Sequence, residues 1–281
     1  MLISCMLFNS EVWHSISNKH VNELEKIDEH LLRRILGAHS KTPLEVLYLE
    51  TGSLPIRFII SMRRLLFLQT ILKRDDNELT KKIYKTQKEP PLKGDFCELV
   101  AGDLKLIGLT EDSVMQLSKN AFKRIVKTKV NQEALKYLKQ IQQSHTKVNK
   151  IKYSKLQAQS YFKSPLFSNT EAKLLFKIRT EFIDCKSNFK YMNREGDMKC
   201  PMCKVHEDDQ KHILECTHIR NNISSKEILD TNIVYEDIYS DNNHKRKAVT
   251  VVFENCIKVR EKLIENLPTE QNLSILRNAG G

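Results

Sequence analysis

Four side chains in one short stretch of this sequence have the types and spacing of a metal site. Cys200 and Cys203 are separated by two residues, His212 follows after eight more, and Cys216 after three more. A Cys pair at that spacing chelates from one tight turn, which Pro201 favours, and a His and a Cys four apart share one face of a helix. Asp208, Asp209 and Gln210 supply the cap for such a helix. With all four tetrahedral positions filled by protein, a zinc ion has no open position for water, so the pattern predicts one structural Zn2+ site holding together a segment too short for its own core. His206 and His218 are competing ligands. His206 and His212 lie six apart rather than four, which excludes a zinc-protease helix. The alternative is a set of unmetallated thiols in a helical protein. Cys5, Cys97 and Cys256 stand in apolar or helical contexts, which predicts core packing for them.

The second feature is charge. The chain has 46 Lys and Arg against 35 Asp and Glu, a net +11. Residues 119–163 hold twelve basic side chains (Lys119, Lys123, Arg124, Lys127, Lys129, Lys136, Lys139, Lys147, Lys150, Lys152, Lys155, Lys163) and one acid, Glu133, so they account for the whole excess. Lys119, Lys123 and Lys127 recur every four residues and form a stripe on a helix, set opposite Val114, Leu117, Ala121 and Ile125. Such a stripe can follow the phosphate backbone of RNA or DNA, with little sequence specificity. Tyr153, Tyr161 and Phe162 interleave with the later lysines as stacking surfaces for unpaired bases. The competing reading is a solvated helix face, but such a face ordinarily mixes signs. His244, Lys245, Arg246 and Lys247 form a second basic cluster, either a helix start or a nuclear address.

Signatures of catalysis are missing. There is no Gly-rich phosphate loop, no nucleophile elbow and no convincing Cys-His pair. The acidic pairs Asp75-Asp76 and Asp208-Asp209 are the candidates for two-metal chemistry, yet Lys73 and His206 stand where a polymerase would place an aromatic residue. The chain by itself is expected to catalyse nothing.

The elements that must position these groups are helices. Only 8 Gly and 7 Pro occur in 281 residues, too few for the turns of a sandwich or barrel. Periodicity predicts helices over 21–36 (Leu24, Ile27, Leu31, Ile35 and Leu36 inward, Gly37 at the stop), over 43–50, and over 55–72, this last apolar nearly all round and therefore central. Further helices are expected over 77–87, 96–106, 111–143 as one long helix or a pair, 170–182 and 244–266, with a loop over 184–198 and a frayed tail after Pro268. The fold class is mainly α: a multi-helix bundle, then a small zinc-knuckle module and a C-terminal helix. Four segments follow: 1–90 helical, 91–182 a basic helical linker, 183–222 the knuckle, and 223–281 the C-terminal helix with its tail. The stretch 54–72 contains Arg57, Arg63 and Arg64, each costing about 2.5–3.5 kcal/mol at a bilayer centre, so no membrane span is expected. An odd seven cysteines without a disulfide framework predict a reducing, intracellular compartment, nucleus or cytoplasm. Oligomeric state is not legible.

Taken in order, Asn9-Ser10-Glu11-Val12-Trp13, the helix with Leu31-Leu32-Arg33-Arg34-Ile35-Leu36, Leu47-Tyr48-Leu49-Glu50-Thr51-Gly52, Leu54-Pro55-Ile56-Arg57, Arg63-Arg64 and the Cys200-Pro201-Met202-Cys203 to Cys216 knuckle resemble the region after the polymerase domain in reverse transcriptases of non-LTR (LINE-type) retrotransposons. The resemblance covers about 7–216, three quarters of the chain. It implies a helical thumb-like and linker region ending in a Cys-Cys-His-Cys knuckle, here Cys200, Cys203, His212 and Cys216, that helps hold template RNA and target DNA during target-primed reverse transcription. The family's endonuclease domain and polymerase aspartates are not in this chain, so Met1 reads as an internal start, or as the start of a remnant, of a longer element.

Overall fold

The computed structural model describes residues 2–13, 16–89, 92–188, 197–223 and 234–266, and among them the chain is mainly α, with twelve α-helices and no strand. The expected loop over 184–198 and the frayed tail after Pro268 fall largely or wholly outside the described residues, as does the Pro90-Pro91 break. None of the described helices is long and apolar enough to cross a membrane. The chain divides into two compact units, one from 1–32, 47–144 and 153–157, the other from 33–46, 145–152 and 158–281. These do not follow the four consecutive segments read from the sequence, because helices from neighbouring segments bury their apolar faces in shared cores.

In the first unit, α1 (Leu2–Met6) and a 3-10 turn (Ser10–Val12) precede α2 (Asn18–Leu36) and α3 (Leu44–Thr51), both of which continue into the second unit. Then come α4 (Ile56–Leu72), α5 (Leu79–Gln87), α6 (Phe96–Ile107), α7 (Glu111–Gln116) and α8 (Lys119–Gln142). As its composition predicts, α4 is central: it packs against α5, α6, α7, α8 and the turn at Ser10–Val12. Its Phe58, Leu65, Leu68 and Ile71 share one core with Val100 and Leu104 of α6 and Phe122, Val126 and Val130 of α8.

The three arginines that made α4 unsuitable for a bilayer each secure a different element. Arg57 grips Glu25 of α2 with two hydrogen bonds of 2.9 and 2.7 Å. The Arg63 guanidinium donates to the Leu7 carbonyl and to Ser10 Oγ. Arg64, buried, forms a two-pronged pair with Asp103 of α6 at 2.7 and 3.2 Å. A planar fork matched to a carboxylate satisfies both charges inside the protein, which a lysine could not do.

Two helix faces differ from expectation. On α2 the buried residues are Val21, Glu25, Asp28, Leu32 and Leu36, whereas Ile27 and Ile35 are exposed. The inward face therefore carries two acids: Glu25 meets Arg57, and Asp28 lies against the buried Tyr48, its carboxyl raised above the usual range by burial. The stretch 111–143 is a helix pair, interrupted where Ser118 accepts the Ala121 N–H at the start of α8. The buried row of α8 is Phe122, Val126, Val130, Ala134 and Leu138, about 100° round the helix from the adjacent lysines; Ala121 and Ile125 do lie opposite the lysine stripe but are only half-buried, and Val114 and Leu117 precede α8.

In the second unit, α9 (Asn169–Arg179), α10 (Gln210–Glu215), α11 (Thr217–Arg220) and a 3-10 turn (Tyr235–Tyr239) pack on α12 (Asn243–Glu265). Gly37, at φ +62, ends α2 in the left-handed region that glycine adopts most readily, while Arg33 caps the chain that follows through the carbonyls of His39 and Thr42 at 2.6 and 2.7 Å. Ser168 and Glu171 form a reciprocal cap on α9. Cys97 and Cys256 are buried as expected, but Cys5 is exposed, since the short α1 turns it away from Leu7 and Met6.

Candidate metal centre and basic surface

The Cys-Pro-Met-Cys segment forms a tight turn closed by backbone bonds from Lys204 N–H to the Cys200 carbonyl (2.9 Å) and from Cys200 N–H to the His206 carbonyl (2.7 Å), with one antiparallel pairing of Lys199 and Glu207 behind it. Lys204 takes φ 57, the left-handed bend that follows Cys203. The turn aims the N–H groups of Cys203 and Met202 at Cys200 Sγ, and those of His206 and Val205 at Cys203 Sγ. From the other side, Asp209 accepts the His212 N–H (2.7 Å) and starts α10, which presents His212 and delivers Cys216 one turn later.

The ligand atoms of Cys200, Cys203, His212 and Cys216 all lie within 4.8 Å of one another. Cys200 and Cys216 sulfurs are 3.9 Å apart, and Cys203 Sγ is 3.3 Å from His212 Nε2. Bonds of about 2.3 Å to sulfur at tetrahedral angles require sulfur separations of about 3.8 Å, so the four side chains fit one ion. Burial pushes the Cys200 thiol up. At Cys203 burial acts in the same sense but is outweighed by the N–H donors of His206 and Val205 and by the two imidazoles, which hold that thiol below its ordinary range. N–H groups directed at sulfur stabilise thiolate, the form that binds metal. His206 is exposed, 3.9 Å from Cys203 Sγ through Nδ1. It and His218 stay outside the four-ligand group.

The module is fastened by a contact that spacing alone does not suggest. Asp208 is fully buried and takes a 2.7 Å ion pair from Arg260 of α12, while its second role is to accept the Lys186 N–H at 2.9 Å. The Gln210 side-chain amide donates to the Ile178 carbonyl of α9 at 2.7 Å. Asp208 and Asp209 are thus a brace and a helix cap, and Asp76 pairs with Lys81 and Lys85 at 3.0 Å each. Neither acidic pair forms a two-metal arrangement among the described residues.

The basic residues separate into two kinds. On α8, Lys119, Lys123, Arg124, Lys127 and Lys129 are exposed and, like the half-buried Lys139, make no ion pair with a described residue; Lys136 alone approaches an acid, Glu133, at 4.0 Å. Lys152 and Lys155 are likewise exposed and without an ion pair among the described residues. In the second unit, by contrast, Lys147 donates to Asn188 and to the Glu181 carbonyl and lies over the Phe182 ring, and Lys150 pairs with Glu181. Tyr153 and Tyr161 are 3% and 1% exposed, so they offer no face to a base; Tyr153 instead donates to the buried Glu50 at 2.7 Å. Arg246 is buried over Tyr161, while Lys245 and Lys247 pair with Asp237 and Glu171, which makes 244–247 a helix start held by its surroundings.

Two further cations lie beside the stripe that sequence reading did not assign to it. An open cleft of about 630 Å³ in the first unit is lined by Arg63 and Lys73 of α4 together with Lys119 and Lys123 of α8. The signal was present: Arg63, Leu66, Phe67, Thr70 and Lys73 recur at three- and four-residue steps, one helix face with a cation at each end. Comparison with protein-family models, with curated proteins and with solved structures gives no match to this chain.

Proposed function

We propose that this chain is a nucleic-acid-binding, zinc-containing region of a retrotransposon reverse transcriptase, lacking the polymerase site itself, that holds RNA or DNA through phosphate contacts. The observation that carries the reading is the run of α8 cations, of which Lys136 alone forms an ion pair with a described residue. Leaving like charges together costs free energy through self-repulsion, and a polyanion removes that cost while releasing its own counterions. The metal in the Cys-Cys-His-Cys group is zinc, which suits three thiolates and one imidazole, and its role is structural because all four positions are taken by protein. The ordered motifs from Asn9 to the knuckle support the placement in the retroelement family.

Binding of labelled single- and double-stranded RNA and DNA at rising salt tests this. Neutralising four to six phosphates gives a slope of log affinity on log salt of about −3 to −5, depending on strandedness. Absent binding at low salt, or a flat response, overturns the reading. The second reading is a helical protein-interaction module with the same structural zinc, favoured by Leu79 and Ile83, one turn apart on α5 and 73% and 48% exposed. It predicts a salt-insensitive protein partner and no affinity for polyanions.

A further inference from the structure

The cleft between α4 and the start of α8 differs from the exposed lysine stripe beside it in being concave, with apolar residues between its cations. Arg63 spends its hydrogen bonds on the Leu7 carbonyl and Ser10 Oγ, and Lys73 Nζ donates to the Leu117 carbonyl at 2.6 Å. Those acceptors are neutral, so both side chains are held in place with their charge intact. Lys119 and Lys123 complete four cations against one carboxylate, Glu11, which itself forms no ion pair with a described residue. The net charge of the lining is therefore +3. Between the cations lie Leu66 and Phe67, both partly buried, and the Phe67 ring is steadied by an edge-to-face contact with Phe96 at 5.8 Å.

Resting on the nucleic-acid reading above, we propose that this cleft takes one unpaired nucleotide of a bound strand, its phosphates against Arg63, Lys73, Lys119 and Lys123 and its base against Phe67. The volume, about 630 Å³, is that of a site for a small molecule of nucleotide size. A base inside a duplex has both faces covered by its neighbours and cannot reach an aromatic floor, whereas an unpaired base can, whatever its identity. Lys119 and Lys123 belong to both the cleft and the stripe. The strand leaves the cleft along α8, meeting Lys127 about 6 Å beyond Lys123. The cleft selects for unpaired nucleic acid and the stripe prolongs the contact.

The test compares the full chain with two variants, using a labelled unstructured 15-nucleotide strand, a hairpin duplex of the same charge and adenosine monophosphate. Lys73→Gln with Lys119→Gln is expected to weaken the single strand at least tenfold and the hairpin less than threefold. Lys127→Gln with Lys129→Gln, outside the cleft, weakens both equally. Because Lys73 also caps α4, thermal melts accompany the titrations, and the unmodified protein is cross-linked to a 5-iodouracil strand with the adducts mapped by mass spectrometry. Adducts on the peptides carrying Phe67 or Lys119 to Lys127 support the proposal. Adducts confined to other peptides, equal losses for strand and hairpin, or monophosphate binding as tight as the strand each overturn it while leaving the nucleic-acid reading in place. No binding of any of the three polyanions overturns that reading as well.

Discussion

Two lysine-rich helices of almost equal length, α8 with 24 residues and α12 with 23, carry their charges in opposite ways. Five of the six Lys and Arg of α12 form ion pairs: Lys245 with Asp237, Arg246 with Asp241, Lys247 with Glu171, Lys258 with Glu254 and Arg260 with Asp208. Of the seven on α8, one does so with a described residue, at 4.0 Å. A count of Lys and Arg alone, six against seven, would hardly separate the two helices. Pairing separates them, because a cation already facing a carboxylate or packed on a ring has its field cancelled locally, whereas an unpaired one projects it into solvent. The cations of α12 hold a unit together, and those of α8 are available to something outside it.

The strongest way to break the comparison is to remove the zinc proposed for the Cys200, Cys203, His212 and Cys216 group. If α12 and the knuckle stabilise one another, chelation should collapse the module and loosen α12, while α8, whose core is built on α4 and α6, keeps its protection. Structural zinc contributes about 10–16 kcal/mol to small modules near neutral pH, as large as a domain's whole stability of about 5–15 kcal/mol, so the expected effect is a loss of fold in the second unit rather than a shift. Elemental analysis should give one zinc per chain, lost in a Cys200→Ser, Cys203→Ser double variant. Hydrogen exchange should then rise over 197–216 and along α12. Unchanged protection there would show that the thiols are ordinary core residues.

Next in size is the Asp208–Arg260 pair. Replacing Arg260 by Met leaves a fully buried carboxylate facing no cation, which costs about 3–5 kcal/mol. Removing both charges, with Asp208→Asn added, should restore part of that. Denaturant melts of the two variants decide it: a single variant as stable as the parent would mean that Asp208 is satisfied by the Lys186 N–H alone.

How much of this was legible beforehand depends on whether a feature is local in the chain. The clustering of Cys200, Cys203, His212 and Cys216 was legible because they lie within seventeen residues and two short elements present them. The central place of α4 was legible because apolar residues lie nearly all round it. The inward face of α2 was not, since Glu25 and Asp28 are buried only because Arg57 and Tyr48, from other elements, meet them. The same holds for Tyr153 and Tyr161, which read as exposed stacking groups until Glu50, Arg179 and Arg246 came into contact with them. Charge pairing at long sequence separation leaves no period in the sequence, and that is why the partners of Lys247 and Arg260, Glu171 and Asp208, were not legible.

The smallest effect is also the sharpest contrast between the helices. Neutralising Lys245 and Lys247 on α12 should cost about 1 kcal/mol of stability or less, the range of partly exposed pairs, and leave nucleic-acid affinity unchanged. The matching change at Lys123 and Lys127 on α8 should leave stability within about 0.5 kcal/mol and lower affinity. A pH series adds a second readout on α12. The Lys247 ammonium holds the Glu171 carboxyl below the usual carboxylate range, burial opposes it, and the Ser168 N–H and hydroxyl add to the lowering. A carboxyl with a depressed value stabilises the fold fully above its unfolded value of about 4.3, and that contribution is lost as pH falls through the folded value. The melting temperatures of the parent and Lys247→Met should therefore differ most near neutrality and converge in acid. If they stay parallel to low pH, Lys247 acts through its contact with the Phe167 ring rather than through Glu171, and α12 is less neutralised than its ion pairs imply.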